Sequence, residues 1–364
     1  MRIGFDAKRY FHNQTGLGNY ARTLVNGLIE LYPEHSYYLF DSKPSELPKS
    51  GANIIKKPKL RPLWRQFGIS KDIQRQQLDV YHGLSAELPY TRPKKTKMVV
   101  TIHDLIFVKY PQYYKAIDRL IYAHKTDNAL RSADAIIATS EQTKLDLIKI
   151  MPDEDIPIQV IYQDCDPLFY VPKSEPDLAK TRERYQLPEK FLMMVSKFEQ
   201  RKNHLTLLKA LKQGHPDGYP IVLVGKPGDT FAEVKQFIDA NQLSNRVKIL
   251  SDVPTQVLPN IYRLAKASIF PSLYEGFGIP VLESLACGTP VLTSEQSCMQ
   301  EIVNDAGLYF NPTETDSINE ALLTFDKSGI ADKLEAAIPD RLELFSNRKI
   351  LADHNTLYQK ICSK

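Results

Sequence analysis

Short apolar runs alternate with helix-period segments along the whole of this chain, the pattern that a parallel sheet covered by helices imposes on its sequence. In the first half, residues 2–6, 37–40, 80–82, 97–103, 135–139 and 159–162 read as strands, with helices over 19–31 and 117–132 between them. In the second half, strands are predicted over 191–195, 220–224, 247–250, 267–271, 290–293 and 307–310, and helices over 204–211, 230–241, 257–266 and 280–286. Two such arrays in series predict two doubly wound α/β domains. At 364 residues the chain is long enough for each domain to bury a core of its own. The join is expected within 162–188, where Pro167, Pro172, Pro176 and Pro188 interrupt a polar, charge-mixed segment. The two domains are placed at 1–168 and 169–344 on that basis. A last helix near 347–361 follows after the second array has supplied its strands and can belong to either domain.

A composition of 43% apolar and 25% charged residues excludes a disordered or low-complexity chain. The 47 Lys and Arg against 43 Asp and Glu leave a net charge of +4, which gives no reason to expect a nucleic-acid partner. The charge is unevenly spread. Residues 51–100 hold 11 basic and 3 acidic side chains, among them Lys56, Lys57, Lys59, Arg61, Arg65, Lys94, Lys95 and Lys97. Such a stretch either meets phosphate or anionic lipid or is simply a solvated surface. Trp64, between Arg61 and Arg65, suits an interface, so peripheral contact with an anionic membrane is among the expected partners. No apolar run approaches the roughly 18–20 residues needed to span a bilayer. The start, MRIGFDAKRY, is charged from its second residue where a secretory leader needs an apolar core, and Cys165, Cys287, Cys298 and Cys362 show no CxxC spacing. A cytoplasmic location is expected, peripheral at the inner membrane face if the basic stretch binds lipid.

The segment richest in chemistry is 271–293, PSLYEGFGIPVLESLACGTPVLT. A strand ends at Pro271, a loop carries Glu275, Gly276 and Gly278, and a helix opens near Pro280, a residue suited to a first helical turn. The glycines let backbone approach a ligand, and the free amides at the helix start can hold an anion. Glu283 falls about one turn inside that helix, so two carboxylates flank the anion site and can accept hydrogen bonds from sugar hydroxyls while the amides hold phosphate. A second segment, VSKFEQRKNHLTLLKAL over 195–211, places Lys197, Arg201 and Lys202 before a helix, where cations oppose the helix dipole unless an anion compensates. Gly16 and Gly18 open a helix after the first strand, and the strand VVTIHDLIF delivers His103 and Asp104 at its end.

The sequence EGFGIPVLESLACGTPV, with Glu275 and Glu283 at its two ends, resembles the signature of retaining glycosyltransferases of the GT-B fold, family 4 or group 1 type. The resemblance extends over most of the chain, with the glycine loop, the His-Asp strand end, the basic pair and the paired glutamates in the family's order. It implies two facing Rossmann-like domains with a deep cleft between them, and a final segment, 345–364, returning to the first domain. The activity it implies is transfer of a mannose- or glucose-type hexose from a nucleoside-diphosphate sugar, a UDP- or GDP-sugar, to a hydroxyl of a glycan or lipid-linked acceptor. Cell-surface polysaccharide or glycoconjugate assembly is the setting it suggests.

Carried over residue by residue, the resemblance gives Lys202, with Lys197, the diphosphate leaving group; this chain has Ser196 and Lys197 where the family more often has Gly and Arg, a point charge in place of a fork. It gives Glu275, with the backbone of Gly276, Phe277, Gly278 and Ile279, the donor sugar, and Glu283 the ribose. Gly16 and Gly18 close on the phosphates, His103 contacts the sugar near its reacting carbon, and Val253, with Pro254, meets the base through backbone. The basic pair replaces a metal ion in offsetting the leaving group's charge, so no cofactor and no metal are expected. The DxD-like pairs Asp153/Asp155 and Asp164/Asp166 read as turn and linker residues, and His35, His82, His124, His204, His215 and His354 are left without a role. Two other readings share the donor site: a non-hydrolysing nucleotide-sugar epimerase, and a catalytically silent nucleotide-sugar-binding subunit.

Overall fold

In a computed structural model, residues 1–13, 15–41, 43, 51–56, 63–151, 155–214 and 218–363 are described. Lys57, Lys59 and Arg61 of the basic stretch, Asp153 and His215 lie outside them. The chain forms two compact units, Met1–Asp164 with Phe345–Lys364, and Cys165–Leu344. The first boundary falls four residues before the 168/169 division read from the sequence, because the segment after Asp164 is tied to the second unit: the Phe169 carbonyl accepts from Arg263 Nη2 at 2.6 Å, and the Phe169 ring packs edge-on against Tyr262.

The first unit holds a seven-stranded parallel sheet of order β3-β2-β1-β4-β5-β6-β7. Its strands are β1 (Arg2–Asp6), β2 (Ser36–Asp41), β3 (Ala52–Lys56), β4 (Val80–Gly83), β5 (Lys97–Ile102), β6 (Ala135–Ala138) and β7 (Ile158–Val160). The second unit holds a six-stranded parallel sheet of order β10-β9-β8-β11-β12-β13. Its strands are β8 (Leu192–Val195), β9 (Ile221–Val224), β10 (Val247–Leu250), β11 (Ala267–Phe270), β12 (Val291–Ser294) and β13 (Gly307–Phe310). In both sheets the chain winds outward one way and then the other. The reversal falls between β1 and β4 in the first and between β8 and β11 in the second, and the loops leaving such a switch point are where doubly wound sheets bind ligands.

Helix Gly16–Leu31 shows why the sequence folds this way locally: Tyr20, Ala21, Leu24, Val25, Leu28 and Ile29 recur at helical spacing and are all buried. Helix Asn347–Cys362 buries Ile350, Leu351, Leu357, Tyr358 and Ile361 in the same core, so the chain's last element completes the first unit. It also brings polar groups inside. Tyr358 Oη lies 2.7 Å from His82 Nδ1, His82 Nε2 lies 2.7 Å from Thr101 Oγ1, and Thr101 Oγ1 lies 2.9 Å from Tyr20 Oη. Burial is what makes these bonds obligatory, since each unpaired polar group there would be costly.

Trp64 and Arg65, expected at a membrane interface, turn inward. Trp64 is 1% exposed, with its indole N–H donating to Asp72 Oδ2 at 2.6 Å. Arg65 reaches Asp6 Oδ2 at 2.6 Å and Glu87 Oε2 at 2.9 Å. A buried indole and a guanidinium held by two carboxylates have no headgroup left to meet, so this pair is structural. Among the described residues no helix is long and apolar enough to cross a membrane.

Candidate active site

In the second unit, the switch point puts the loops after β8 and β11 side by side. Asn203, at a φ of +61°, ends the turn Gln200–Lys202 and donates from Nδ2 to the carbonyls of Pro271 at 3.1 Å and Pro312 at 2.6 Å. The Leu273 N–H closes onto the Arg201 carbonyl at 2.8 Å. These ties bring Arg201 and Lys202 onto Glu275: Arg201 Nη1 donates to Oε2 at 2.7 Å and Lys202 Nζ donates to Oε1. The Glu275 N–H donates to Ser297 Oγ at 3.2 Å, and Cys298 Sγ–H donates to the carbonyls of Glu275 at 3.3 Å and Phe277 at 3.0 Å. The loop is therefore held from both sides.

Lys202 and Glu275 are both buried. Burial pushes the Glu275 carboxyl up, but the Arg201 and Lys202 cations override it and hold it at about 2. Burial lowers the pKa of Lys202, with Glu275 opposing that shift and Arg201 adding to it. Lys197 stands apart from this cluster: it is exposed, with Nζ 3.1 Å from Glu199, which also lies 3.4 Å from Arg201. Arg201 is the residue whose importance the sequence reading missed. Its signal was there, a second cation immediately before Lys202.

After Glu275 the backbone runs through buried Gly276, Phe277 and Gly278 into helix Ile279–Ala286. Gly278 has a φ of +96°, a conformation that glycine adopts freely and side chains resist, and it turns the chain so that Ile279 and Pro280 open the helix. Glu283, buried in that helix, accepts from the Tyr262 hydroxyl at 3.1 Å. Burial raises its pKa to about 7, against the Tyr262 hydrogen bond and with help from the Asp166 charge. Val253 is half-buried in the loop that follows β10.

In the first unit, Gly16 is exposed, while Gly18 is packed so tightly that a Cβ there would stand 1.7 Å from the Asn13 carbonyl oxygen. His103, just past β5, donates from Nε2 to the Leu84 carbonyl at 2.9 Å and meets the Tyr20 ring edge-on at 4.8 Å. Burial, aided by Arg9, lowers its pKa to about 4. The ring is thus neutral near pH 7 with its proton on Nε2, which leaves Nδ1 as an acceptor. His103 and Asp104 line a pocket of about 220 Å³ with Arg9, Phe107, Tyr114 and Tyr122. Arg9 has no ion pair among the described residues. Of the unassigned histidines, His82 and His354 lie in the polar core, His35 Nε2 lies 3.0 Å from Asn355 Oδ1, and His204 stacks on Phe198 at 4.5 Å. Asp166 caps the turn Pro167–Phe169, accepting from the Leu168 N–H at 2.9 Å. Among the described residues no group of three or more His, Cys, Asp or Glu side chains is arranged to hold a metal ion.

These features agree with what the chain is similar to. The profile described as Glycosyltransferase Family 4 matches residues 15–167, and that described as Glycosyl transferases group 1 matches residues 178–338. O-antigen chain mannosyltransferase B of Escherichia coli is 28% identical over 349 residues, 89% of this chain and 90% of that one. O-antigen chain mannosyltransferase RfbU of Salmonella typhimurium is 23% identical over 272 residues, 75% of this chain and 70% of that one. In fold, sucrose-phosphate synthase from Thermosynechococcus elongatus superposes with a TM-score of 0.78 at 19% identity, covering 100% of this chain and 99% of that one. Anabaena HepE in complex with UDP-glucose superposes with a TM-score of 0.76 at 20% identity, covering 99% and 100%. With both units matched by their own profiles and both sheets wound in the same order, the chain belongs to the group 1, family 4 glycosyltransferases, with the GT-B α/β fold.

Proposed function

We propose that this chain is a retaining hexosyltransferase that moves mannose or glucose from a UDP- or GDP-sugar to a hydroxyl of a glycan or lipid-linked acceptor, in the cytoplasm, during assembly of a cell-surface polysaccharide. The observation that carries the proposal is the Arg201–Glu275–Lys202 cluster beside the backbone of Gly276 to Ile279. Three cations, Lys197, Arg201 and Lys202, face two carboxylates, Glu199 and Glu275, so the group keeps a surplus positive charge for a diphosphate. Mannosyltransferase relatives in O-antigen synthesis and the UDP-glucose complex of HepE support the hexose, the donor class and the setting.

In this reading the bond from the anomeric carbon to the diphosphate breaks, the acceptor oxygen bonds to the same face of that carbon, and the acceptor hydroxyl's proton passes to the departing diphosphate oxygen. Lys202 and Arg201 stabilise the charge developing on the leaving diphosphate, the work a metal ion does elsewhere, so none is required. Lys197, exposed on its loop, adds long-range attraction. Glu275 and the amides of Gly276 to Ile279 hold the donor sugar, Glu283 accepts from the ribose hydroxyls, and Val253 borders the base. Gly18 keeps the Gly16 loop close-packed for approach to the phosphates. His103, neutral, offers Nδ1 to a sugar hydroxyl.

The test is a donor panel of UDP-, GDP-, ADP- and dTDP-sugars with EDTA present, read by thermal shift, by slow release of nucleoside diphosphate and by the anomeric configuration of any product. One donor should stabilise the protein and be hydrolysed. Loss of turnover in EDTA removes metal independence, an inverted product removes retention, an epimerised sugar formed without acceptor points to an epimerase, and binding without turnover under any acceptor points to a silent subunit.

Glu283 supplies a second check. With its pKa at about 7, the free protein carries this carboxyl largely protonated at lower pH. Ribose hydroxyls donate best to the ionised form, so nucleotide binding should release close to one proton per site below pH about 7 and progressively less above it. Calorimetry in buffers of different ionisation enthalpy measures this. The release should vanish in Glu283→Gln, and equal release in that variant would remove Glu283 from the nucleotide site.

A further inference from the structure

His103 is held at its backbone, at one ring nitrogen and across its ring plane, and the last of these holds comes from Tyr20, a residue without a role so far. The backbone is fixed by two hydroxyls: Thr139 Oγ1 donates to the His103 carbonyl at 3.0 Å and Thr143 Oγ1 at 3.2 Å. The ring is fixed at one atom, where Nε2–H donates to the Leu84 carbonyl at 2.9 Å. With backbone and Nε2 held, the freedom left to the imidazole is rotation about the line from Cβ to Nε2, and that rotation swings Nδ1. Tyr20 removes it. The two rings meet edge to face, with centroids 4.8 Å apart and planes at 87°, a contact that is favourable only near that angle.

Tyr20 is itself fixed at both ends. It follows Gly18 by two residues, and Gly18 sets where helix Gly16–Leu31 starts: a side chain there would run into the Asn13 carbonyl, and its N–H donates to Asn13 Oδ1 at 3.1 Å. The buried Tyr20 hydroxyl lies 2.9 Å from Thr101 Oγ1 and 3.4 Å from His354 Nε2. Proton directions follow from one end of this chain of bonds. His354 Nδ1 lies 2.8 Å from the Ile350 carbonyl, so it carries the proton and Nε2 accepts. The Tyr20 hydroxyl then donates to His354, Thr101 to Tyr20, His82 Nε2–H to Thr101 and the Tyr358 hydroxyl to His82 Nδ1, and every one of these buried donors has an acceptor. Reversed, the chain leaves the Tyr358 proton without an acceptor among the described residues. Both ends lie on helix Asn347–Cys362, so the last helix holds the Tyr20 hydroxyl, and with it the ring, in one place.

We infer that Tyr20 is a positioning residue for the reaction: its ring sets the plane of the His103 imidazole, and with it the direction in which Nδ1 presents its lone pair to the donor sugar. The inference rests on the reading of His103 as a sugar contact. A hydrogen bond weakens steeply as it bends, so an acceptor free to rotate would meet the sugar hydroxyl in line for only part of the time. A ring set at right angles holds that line without placing a charge or a competing donor beside the reacting carbon. The Tyr20 hydroxyl is committed to Thr101 and His354, and what Tyr20 offers His103 is the ring alone.

Turnover at saturating donor tests it in the full chain, comparing wild type, Tyr20→Phe, Tyr20→Leu, His103→Ala and the double variant Tyr20→Leu with His103→Ala. Tyr20→Leu removes the flat ring and should lower kcat by about tenfold or more, with donor KM within about twofold of wild type. Tyr20→Phe keeps the ring but leaves the Thr101 hydroxyl and His354 Nε2 unpaired, so it should melt at a lower temperature and still keep at least about a third of the rate. In the His103→Ala background the Tyr20→Leu change should cost no further rate, whereas a merely structural role would cost the same in both backgrounds. Titration of His103 by NMR reads the same hold without turnover. Burial, aided by Arg9, keeps its pKa at about 4, and loss of the ring opens the imidazole to water, so the midpoint should rise in Tyr20→Leu and stay in Tyr20→Phe. Arg9, Glu87, Asp104 and Lys125 around the pocket, and nearby His82, are the same in both. If Tyr20→Leu does not fold, Tyr20→Met, apolar and adaptable but without a flat face, takes its place. Wild-type kcat in the folded variant, equal losses in the two backgrounds, or an unmoved His103 midpoint overturns the inference. Wild-type kcat in His103→Ala overturns it as well, by removing the sugar contact, while failure of the transferase reading shows separately, as absence of donor hydrolysis by the wild type.

Discussion

Lys202→Ala is expected to lower turnover at saturating donor by about 10²–10³-fold, the range seen when a preorganised donor to a developing anion is removed. The argument rests on the placement of this one ammonium. It is buried, fixed by the turn that ends at Asn203, and bonded to a carboxylate that Arg201 also holds. A cation already stripped of water and already positioned needs no reorganisation when the anomeric bond breaks. Water filling the space left by the side chain does. Arg201 remains in the variant and keeps Glu275 paired, so the fold should persist and the loss should fall on turnover more than on donor affinity. Lys202→Arg is the informative companion, because it keeps the charge but exchanges a compact ammonium for a planar fork in a closed site, and it should recover only part of the rate. Steady-state rates with saturating donor, and melting curves for all three proteins, decide the matter. Wild-type turnover in Lys202→Ala removes this residue from the reaction.

That Lys202 and Glu275 form one unit could not be seen in the sequence, although each was named there. They stand 73 residues apart, and what joins them is the order of the second sheet, in which β8 pairs with β11 and puts the two loops at one switch point. Apolar runs announce strands because a buried parallel strand must be apolar throughout, and for that reason 2–6, inside the first sheet, could be read residue for residue. At the edges the signal depends on how much apolar pattern survives: the half-exposed β10 and β13 kept enough of it to be read, and β3 did not. β3, Ala52–Lys56, pairs on one side only, is half-exposed and sits in a basic stretch, so its pattern carried no strand signal. The same limit explains Trp64. A tryptophan between arginines has the composition of an interface, and only the fold reveals that Asp72 waits inside for its indole N–H. Motifs name the residue types that chemistry needs, while topology decides which of them meet. Arg201, visible in the sequence as a second cation beside Lys202, acquires its carboxylate partner from topology.

Glu275→Gln should lose transfer and also weaken the fold, and the second effect follows from the same ion pairs as the first. Arg201 and Lys202 are largely withdrawn from water, and Glu275 is the one carboxylate they share. Neutralising it leaves the buried Lys202 ammonium without its paired carboxylate and Arg201 with Glu199 at 3.4 Å, a change that costs about 3–5 kcal/mol when a buried pair is broken from one side. The wild-type protein already reports this coupling through pH. The folded-state pKa of Glu275, about 2, lies below its ordinary value of 4.5, so the ionised form is favoured by folding. That contribution, on the order of 3 kcal/mol, is fully present above pH about 4.5 and is lost as pH falls through the folded value. The Gln variant has no such carboxyl, so its acid limb should be flatter between these limits. A nucleoside diphosphate brings anionic oxygens to the same cations, and it should therefore raise the melting temperature of the variant by more than it raises that of the wild type. The stabilised complex should still transfer at least about 10²-fold more slowly, because an amide cannot offer the sugar the acceptor strength of a carboxylate. Melting curves across acidic pH, with and without nucleotide, separate the two effects. A variant that melts like the wild type, gains no more from nucleotide and transfers at the normal rate would show that Glu275 is neither the counterion of this cluster nor part of the donor site.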